Sequence, residues 1–131
     1  MYRKGARKER DLIEKLKKLG FEAVRVAGSG APDIVAGKKG RFYVIECKYS
    51  SKGYVYVNWE ELRREMKVAE RMGATFLLAV KFPNREWRFL EGKMLESYRK
   101  GKGVKVSVED VEGLPSVEIL LDKNLNEYLE A

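Results

Sequence analysis

The sequence predicts an α/β fold in which a central mixed β-sheet is flanked by helices. An amphipathic helical stretch opens the chain, two strand-like segments around a glycine-containing turn follow it, and a second helical stretch leads into a buried strand. Helices that alternate with strands in this way pack against the faces of a sheet. With 131 residues, of which 44% are hydrophobic, we expect one domain over residues 1–131.

The first helix is predicted over residues 3–19. Its apolar positions recur at helical spacing and are Ala6, Leu12, Ile13, Leu16 and Leu19. Glu9 falls inside that stripe, between the directions of Leu16 and Ile13, because successive helical residues are rotated by about 100°. A carboxylate that points toward the core requires a cation there. The alternative is a helix-start carboxylate that stays hydrated and is favoured by the helix dipole.

A β-hairpin follows. Residues 33–36 (DIVA) and 41–48 (RFYVIECK) are predicted to be strands, since the second is rich in β-branched and aromatic residues and the segment between them begins and ends with glycine. With the turn centred between Lys38 and Lys39, Val35 lies opposite Phe42. That register decides which side chains share a face of the sheet.

Three polar residues of the hairpin carry the functional prediction. In this register Asp33 faces Val44, so Asp33, Glu46 and Lys48 share one face, with the two carboxylates on a diagonal of about 7 Å. One divalent cation spans such a gap, and carboxylates beside a lysine suit metal-assisted phosphodiester hydrolysis. Alternatively, Glu46 and Lys48 are the ordinary polar face of a half-exposed strand.

Basic and hydroxyl side chains surround these carboxylates in the sequence. Arg10 is adjacent to Glu9, and Arg25 shares the apolar face of a strand predicted over 21–26, where its guanidinium requires either a phosphate or a carboxylate. Ser29 lies in the loop before the hairpin, which contains two glycines and a proline. Its hydroxyl and the loop amides can approach a phosphate oxygen, although the loop is equally well a plain connector.

Positive charge is concentrated in the same part of the chain. The formal net charge is +7, but residues 1–52 carry 14 basic and 6 acidic side chains, whereas residues 53–131 carry 13 and 14. A one-sided excess is typical of a surface that binds a phosphate backbone. The alternative is a basic face that only maintains solubility. It explains the high total charge better than it explains the concentration of that charge in residues 1–52.

The residue types that are scarce exclude several kinds of site. There is no histidine, which excludes Ser-His-Asp triads, Cys-His pairs and His-ligated zinc and leaves carboxylate-held hard cations. Cys47 is the single cysteine, so there is no disulfide framework, and it is predicted to be a small core residue on the face opposite Glu46.

No apolar run approaches about 18 residues and the N-terminus is too polar for a secretory signal, so a cytoplasmic protein without a membrane partner is expected. The charged content of 36% is typical of a heat-adapted source.

The rest of the chain is predicted to be scaffold. Residues 49–57 form either a mobile arm that contacts a DNA branch or a plain edge ribbon. A helix begins at Asn58, where Asn58-x-x-Glu61 resembles a capping box, and ends before Gly73. Its predicted core stripe is Trp59, Leu62, Met66, Ala69 and Met72. Strands are also predicted at 75–82, 86–90 and 104–108, and helices at 94–99 and 117–129.

Four segments resemble the archaeal-type Holliday junction resolvases of the PD-(D/E)xK nuclease superfamily. They are YRKGARKERDL, RVAGSGAPDIVAG, IECK and AVKFPNREWRF, and the resemblance covers most of residues 1–90. It implies a restriction-endonuclease-like (tRNA endonuclease-like) fold and a homodimer that binds four-way DNA junctions by shape. It also implies symmetric paired cuts that require Mg²⁺, for which Mn²⁺ substitutes, and that leave 5′-phosphate ends. The expected biological role is in DNA recombination and repair. No small-molecule cofactor is expected.

The resemblance assigns roles to individual residues. Glu9 joins Asp33 and Glu46 as metal ligands and Lys48 matches the motif lysine, while Ser29 matches a loop serine near the DNA and is counted with the catalytic residues. The residues expected to contact DNA are Lys4, Arg7, Arg10, Arg25 and Ser29. Two alternatives remain: another nuclease of this superfamily that acts on flap or single-stranded nucleic acid, and a non-cleaving junction-binding protein, against which the intact acidic motif argues.

Overall fold

A computed structural model describes residues 4–28 and 32–120. The helices and strands are α1 (Lys4–Lys18), β1 (Glu22–Arg25), β2 (Ile34–Lys38), β3 (Arg41–Tyr49), β4 (Tyr54–Asn58), α2 (Trp59–Met72), β5 (Thr75–Lys81), β6 (Arg88–Glu91), β7 (Arg99–Lys100), β8 (Gly103–Ser107) and α3 (Val117–Leu120). Two 3-10 helices, Gly92–Tyr98 and Asp110–Gly113, connect the later strands. The predicted C-terminal helix begins at Val117, and its remainder lies outside the described residues.

The strands form two sheets. The larger one has the order β1-β2-β3-β5-β6, in which β3 and β5 are parallel and the other neighbours are antiparallel. A parallel pair needs a crossover connection, and β4 and α2 supply it. The smaller sheet, β4-β8-β7, is antiparallel, and β4 at its edge agrees with the edge ribbon predicted for the second half of residues 49–57, whereas residues 50–53 form a loop before it. A mixed central sheet flanked by helices is confirmed.

The two faces of the larger sheet carry separate apolar cores. Leu12 and Leu16 of α1 pack with Ile34 and Ile45 on one face, and Leu62 of α2 packs with the residues of the other. Strand β3 alternates between them. Cys47 is buried among the α1-side residues, as predicted. The residue before it, Glu46, therefore projects toward α2.

The predicted register of the hairpin is wrong by two residues. Val35 lies opposite Val44, and Lys38 lies opposite Arg41. The turn is a two-residue one whose central residues both have positive φ, Lys39 at 49° and Gly40 at 82°. Such a turn matches the twist of the flanking strands. A shift of two residues preserves the faces, because side chains alternate with a period of two.

Helix α2 has the predicted ends. Asn58 caps it by accepting a hydrogen bond from the backbone N–H of Glu60 at 2.8 Å, and Gly73 ends it in the left-handed conformation at φ 70°. The prediction that Met72 belongs to the core is wrong, since this residue is 52% exposed in the last turn, where the chain leaves the helix toward β5. In the part of the chain that the structure describes, every helix is too short or too polar to cross a membrane.

Candidate active site

Three carboxylates meet between β3 and α2. One oxygen from each of Glu46, Glu61 and Glu65 lies within 4.8 Å of the others. Glu61 and Glu65 are neighbours on one side of α2 because they are four residues apart. Glu46 is 5% exposed and Glu65 is 2% exposed, whereas Glu61 is partly exposed. We call Glu46, Glu61 and Glu65 the acidic cluster.

Lys48 supplies the positive charge that contacts this cluster. Its Nζ lies 3.3 Å from Glu46 Oε2 and 3.2 Å from Glu61 Oε2. Lys48 follows Glu46 by two residues on β3, so both side chains lie on the same face of the sheet. Although burial acts against its charge, the attraction of Glu46 and Glu61 raises the pKa of Lys48. One ammonium group thus faces three carboxylates.

The buried part of the acidic cluster is incompletely satisfied. Glu46 Oε1 and Glu65 Oε1 have no hydrogen-bond partner among the described residues. Burial, and then the adjacent carboxylates of Glu65 and Glu61, raise the pKa of Glu46 to about 10. Burial also raises the pKa of Glu65. Buried oxygens of this kind require either protons or a cation.

Asp33 lies beside the acidic cluster at the start of β2. Its backbone N–H donates to the carbonyl oxygen of Ile45 at 3.0 Å, and its Oδ2 accepts from the backbone N–H of Cys47 at 2.8 Å. These two bonds hold Asp33 against the residues that flank Glu46. Its charge contributes to the raised pKa of Glu46.

Glu9 approaches the same region from α1. Its side chain is mostly buried, and its Oε1 accepts a hydrogen bond from Arg25 Nε at 3.2 Å, while the Arg25 side chain is 56% exposed. Burial, and then the charge of Asp33, raise the pKa of Glu9, and Arg25 acts in the opposite direction. Of the two anions predicted for Arg25, the structure shows a carboxylate. We call Glu9 and Arg25 the α1 pair.

The geometry agrees with comparisons to known proteins. A family model described as archaeal Holliday junction resolvase (Hjc) matches residues 1–124. The chain belongs to this family. The crossover junction endodeoxyribonuclease Hjc of Archaeoglobus fulgidus is similar to this resolvase, with 39% identity over 91% of the chain and 90% of the relative. Its counterpart from Methanocaldococcus jannaschii is 40% identical over 76% of the chain and 74% of the relative.

A solved structure supports the same family. The structure of A. fulgidus Hjc, described as a Holliday junction resolvase from an archaeal hyperthermophile, matches this resolvase with a TM-score of 0.83 at 35% sequence identity. The match covers 93% of the chain and 98% of the solved chain.

The residues expected to contact DNA lie mainly on α1 and around β1. Arg7 and Arg10 are exposed on α1, and Arg25 is exposed at the end of β1. Beside Asp33, a cavity of about 400 Å³ is lined by Arg25 and residues 26–28, which is room for a phosphate group. Ser29 and the side chain of Lys4 lie outside the described residues.

Sequence reasoning missed two residues of the acidic cluster. Glu65 carried a usable signal, since it lies three residues after Leu62 and four before Ala69, inside the buried stripe of α2. Glu61 was assigned to a capping box. In the structure its carboxylate contacts Lys48 instead, and Asn58 completes the cap without it.

Proposed function

We propose that this resolvase is an endodeoxyribonuclease that cuts four-way DNA junctions by metal-dependent phosphodiester hydrolysis. The observation that carries the proposal is the acidic cluster with Lys48, which lies between β3 and α2 beside Asp33. The relatives named as crossover junction endodeoxyribonucleases support it. The substrate class also suits the exposed Arg7, Arg10 and Arg25, because a four-way junction presents densely charged phosphates.

The oxygens of this region fit a hard divalent cation. One buried carboxylate oxygen at this position, Glu46 Oε1, has no partner among the described residues, and hard cations prefer such ligands. We propose Mg²⁺, with Mn²⁺ as a substitute, held by Asp33 and Glu46 and joined by Glu9. When bound, it polarises the scissile phosphate and lowers the pKa of a water molecule.

The chain's own groups then have distinct roles. Lys48, fixed by Glu46 and Glu61, orients the attacking water and offsets charge that develops on the phosphate. Arg25 pairs with Glu9 in the free protein and exchanges this partner for a DNA phosphate, which releases Glu9 toward the metal. We propose that Arg10, Arg7, Lys4 and Ser29 hold neighbouring phosphates and thereby set position rather than sequence.

Symmetric resolution requires two active sites. One site cuts one strand, whereas a junction is resolved by two cuts related by a twofold axis. A homodimer with C2 symmetry provides that arrangement. We therefore propose a homodimer of single-domain subunits that acts on DNA in the cytoplasm.

Cleavage of a synthetic four-way junction tests the proposal. The assay compares wild type with Asp33→Ala, with and without Mg²⁺, and maps products on all four strands. Glu70→Ala is the matched control, because Glu70 is an exposed glutamate of α2, the helix that carries Glu61 and Glu65. We expect paired symmetric cuts that require Mg²⁺ and Asp33, and little cleavage of linear duplex.

Other outcomes point to the alternatives. Preferential cutting of a flap or a single strand would assign a different nuclease activity. Tight junction binding without cutting under any metal condition would assign a non-cleaving binding protein. Equal loss of junction binding and cutting in Asp33→Ala would contradict the metal role of Asp33.

A further inference from the structure

The charge of the acidic cluster is not balanced by the protein groups that contact it. Lys48 contacts Oε2 of Glu46 and Oε2 of Glu61. The two oxygens without a partner are different atoms, Oε1 of Glu46 and Oε1 of Glu65. Lys48 therefore leaves the buried half of the cluster unneutralised, where a full negative charge is most costly.

The spacing of the three carboxylates suits one cation. Oxygens on opposite sides of a Mg²⁺ or Mn²⁺ ion are about 4 Å apart, since each metal–oxygen bond is about 2.1 Å long. The oxygens of Glu46, Glu61 and Glu65 all lie within 4.8 Å of one another, so small side-chain movements bring them to that separation. Glu65 is 98% buried, and its Oε1 has no hydrogen-bond partner among the described residues.

Asp33 does not belong to this group. Among the described residues, it forms no set of three carboxylates within the same distance limit. Its Oδ2 is engaged by the backbone N–H of Cys47. With the side chains in these positions, one ion does not reach Asp33, Glu46 and Glu65 together, whereas Glu46 has two carboxylate oxygens, one available for each position.

We infer that Glu46, Glu61 and Glu65 form a second divalent-cation site, separate from the metal position proposed at Asp33 and Glu46. The Glu46 carboxylate is shared between the two positions. The ion bound at this second site neutralises the buried oxygens and fixes the orientation of Glu46. Lys48 remains at the exposed side of the acidic cluster. The inference goes beyond the proposed function, because cation binding here requires neither DNA nor catalysis.

Counting bound Mn²⁺ in the absence of DNA tests the inference. The electron paramagnetic resonance signal of free Mn²⁺ is titrated against wild type, Glu65→Gln, Asp33→Asn and the control Glu70→Gln. Glutamine keeps the size of Glu65 and removes its charge. We expect two ions per chain in wild type and in Glu70→Gln, and one ion in each of the other two variants. Unfolding midpoints in EDTA verify that each variant is folded.

Several outcomes would overturn the inference. If folded Glu65→Gln binds as many ions as wild type, the buried oxygens are neutralised by protons alone. If wild type binds one ion and both Glu65→Gln and Asp33→Asn bind none, all these carboxylates serve a single site. A wild type that binds no Mn²⁺ up to millimolar concentration also contradicts it. If Glu65→Gln fails to fold, Glu61→Gln at the partly exposed edge of the cluster takes its place, with the same expected loss of one ion.

The Mg²⁺ dependence of junction cleavage provides a second readout. With two ions, the logarithm of the rate rises with the logarithm of Mg²⁺ concentration more steeply in wild type than in Glu65→Gln. Loss of a group that orients a metal ligand typically lowers activity or metal affinity by about 10- to 100-fold, and the second ion is proposed to orient Glu46. We expect Glu65→Gln to cut in that reduced range with the shallower slope. An unchanged slope would contradict the second site even if the proposed nuclease activity is correct.

Discussion

The α1 pair and the acidic cluster lie on opposite faces of the sheet near Asp33, and their charge balances differ. In the α1 pair, one carboxylate meets one guanidinium, and the Arg25 side chain is 56% exposed. In the acidic cluster, three carboxylates meet one ammonium, and two of them are at least 95% buried. The α1 pair has no net charge, so it destabilises the folded protein little. The cluster is costly until cations or protons reach it.

This difference separates a positioning region from a metal-binding one. Glu9 must exchange Arg25 for a metal before it acts as a ligand, while Glu46 already carries a buried oxygen without a partner among the described residues. Catalytic metal binding should therefore depend most on the β3–α2 side. The α1 side should respond mainly to the presence of DNA phosphates.

The largest expected effect compares Glu46→Ala with Glu9→Ala in junction cleavage. We expect Glu46→Ala to lower the single-turnover rate with Mg²⁺ by about 10³-fold or more, because a central charge-stabilising ligand is lost. Glu9→Ala should lower it less, by about 10- to 100-fold, because Glu9 is paired with Arg25 in the free protein and supports the metal position rather than forming its centre. Gel-shift binding in EDTA should change by only a few fold in both variants. Equal rate losses would contradict the division between the two regions.

A second prediction concerns stability without metal. The folded-state pKa of Glu46 is raised to about 10 from its usual value of 4.5. At pH values between these two, the folded protein keeps a proton on Glu46 that the unfolded chain releases. Stability in EDTA should therefore fall as pH rises from about 5 to 9. Glu46→Gln has no such proton to lose and should be more stable than wild type at pH 7 by about 1–3 kcal/mol.

Urea unfolding from pH 5 to 9 measures this effect. The wild-type and Glu46→Gln curves should diverge with rising pH, and Mg²⁺ should stabilise wild type more than the variant. Glu70→Gln, an exposed change on α2, should follow wild type. Parallel curves for wild type and Glu46→Gln would show that Glu46 is ionised in the folded protein without metal.

Glu9 and Glu65 show how much of the candidate site can be predicted from the sequence. Each carboxylate falls inside the apolar stripe of an amphipathic helix, so the periodicity alone indicates that both point inward. The periodicity does not indicate which strand residue lies opposite. That Glu9 meets Arg25 and Glu65 meets Glu46 depends on how α1 and α2 cross the sheet, which is decided by packing of the whole core.

The hairpin shows the same limit in another form. The faces of β2 and β3 were predictable because alternation survives a shift of two residues. The turn was not, since it requires Lys39 to adopt φ 49°, a conformation that is uncommon for a residue with a side chain. The cap of α2 at Asn58 and its end at Gly73 followed from local signals.

A third prediction removes the ammonium group. Lys48→Met leaves the acidic cluster without the cation that contacts Glu46 and Glu61, so in EDTA at pH 7 it should lower the free energy of unfolding by about 1–2 kcal/mol, less than for a fully buried pair because Lys48 is 32% exposed. Urea titration measures the change. Added Mg²⁺ should restore part of it. A variant as stable as wild type in EDTA would indicate that Glu61 needs no cation beside it when Glu46 is protonated.

The smallest expected effect lies in the α1 pair. A double-mutant cycle with Glu9→Gln and Arg25→Met should give a coupling free energy of about 0.2–1 kcal/mol, because the solvent-exposed Arg25 side chain is well screened. Urea unfolding at low and high salt measures it, and the coupling should shrink at high salt. A larger, salt-independent coupling would mean that Arg25 is committed to Glu9 in the folded protein. Arg25 would then not be free to exchange Glu9 for a DNA phosphate, and the α1 pair would be a fixed structural contact.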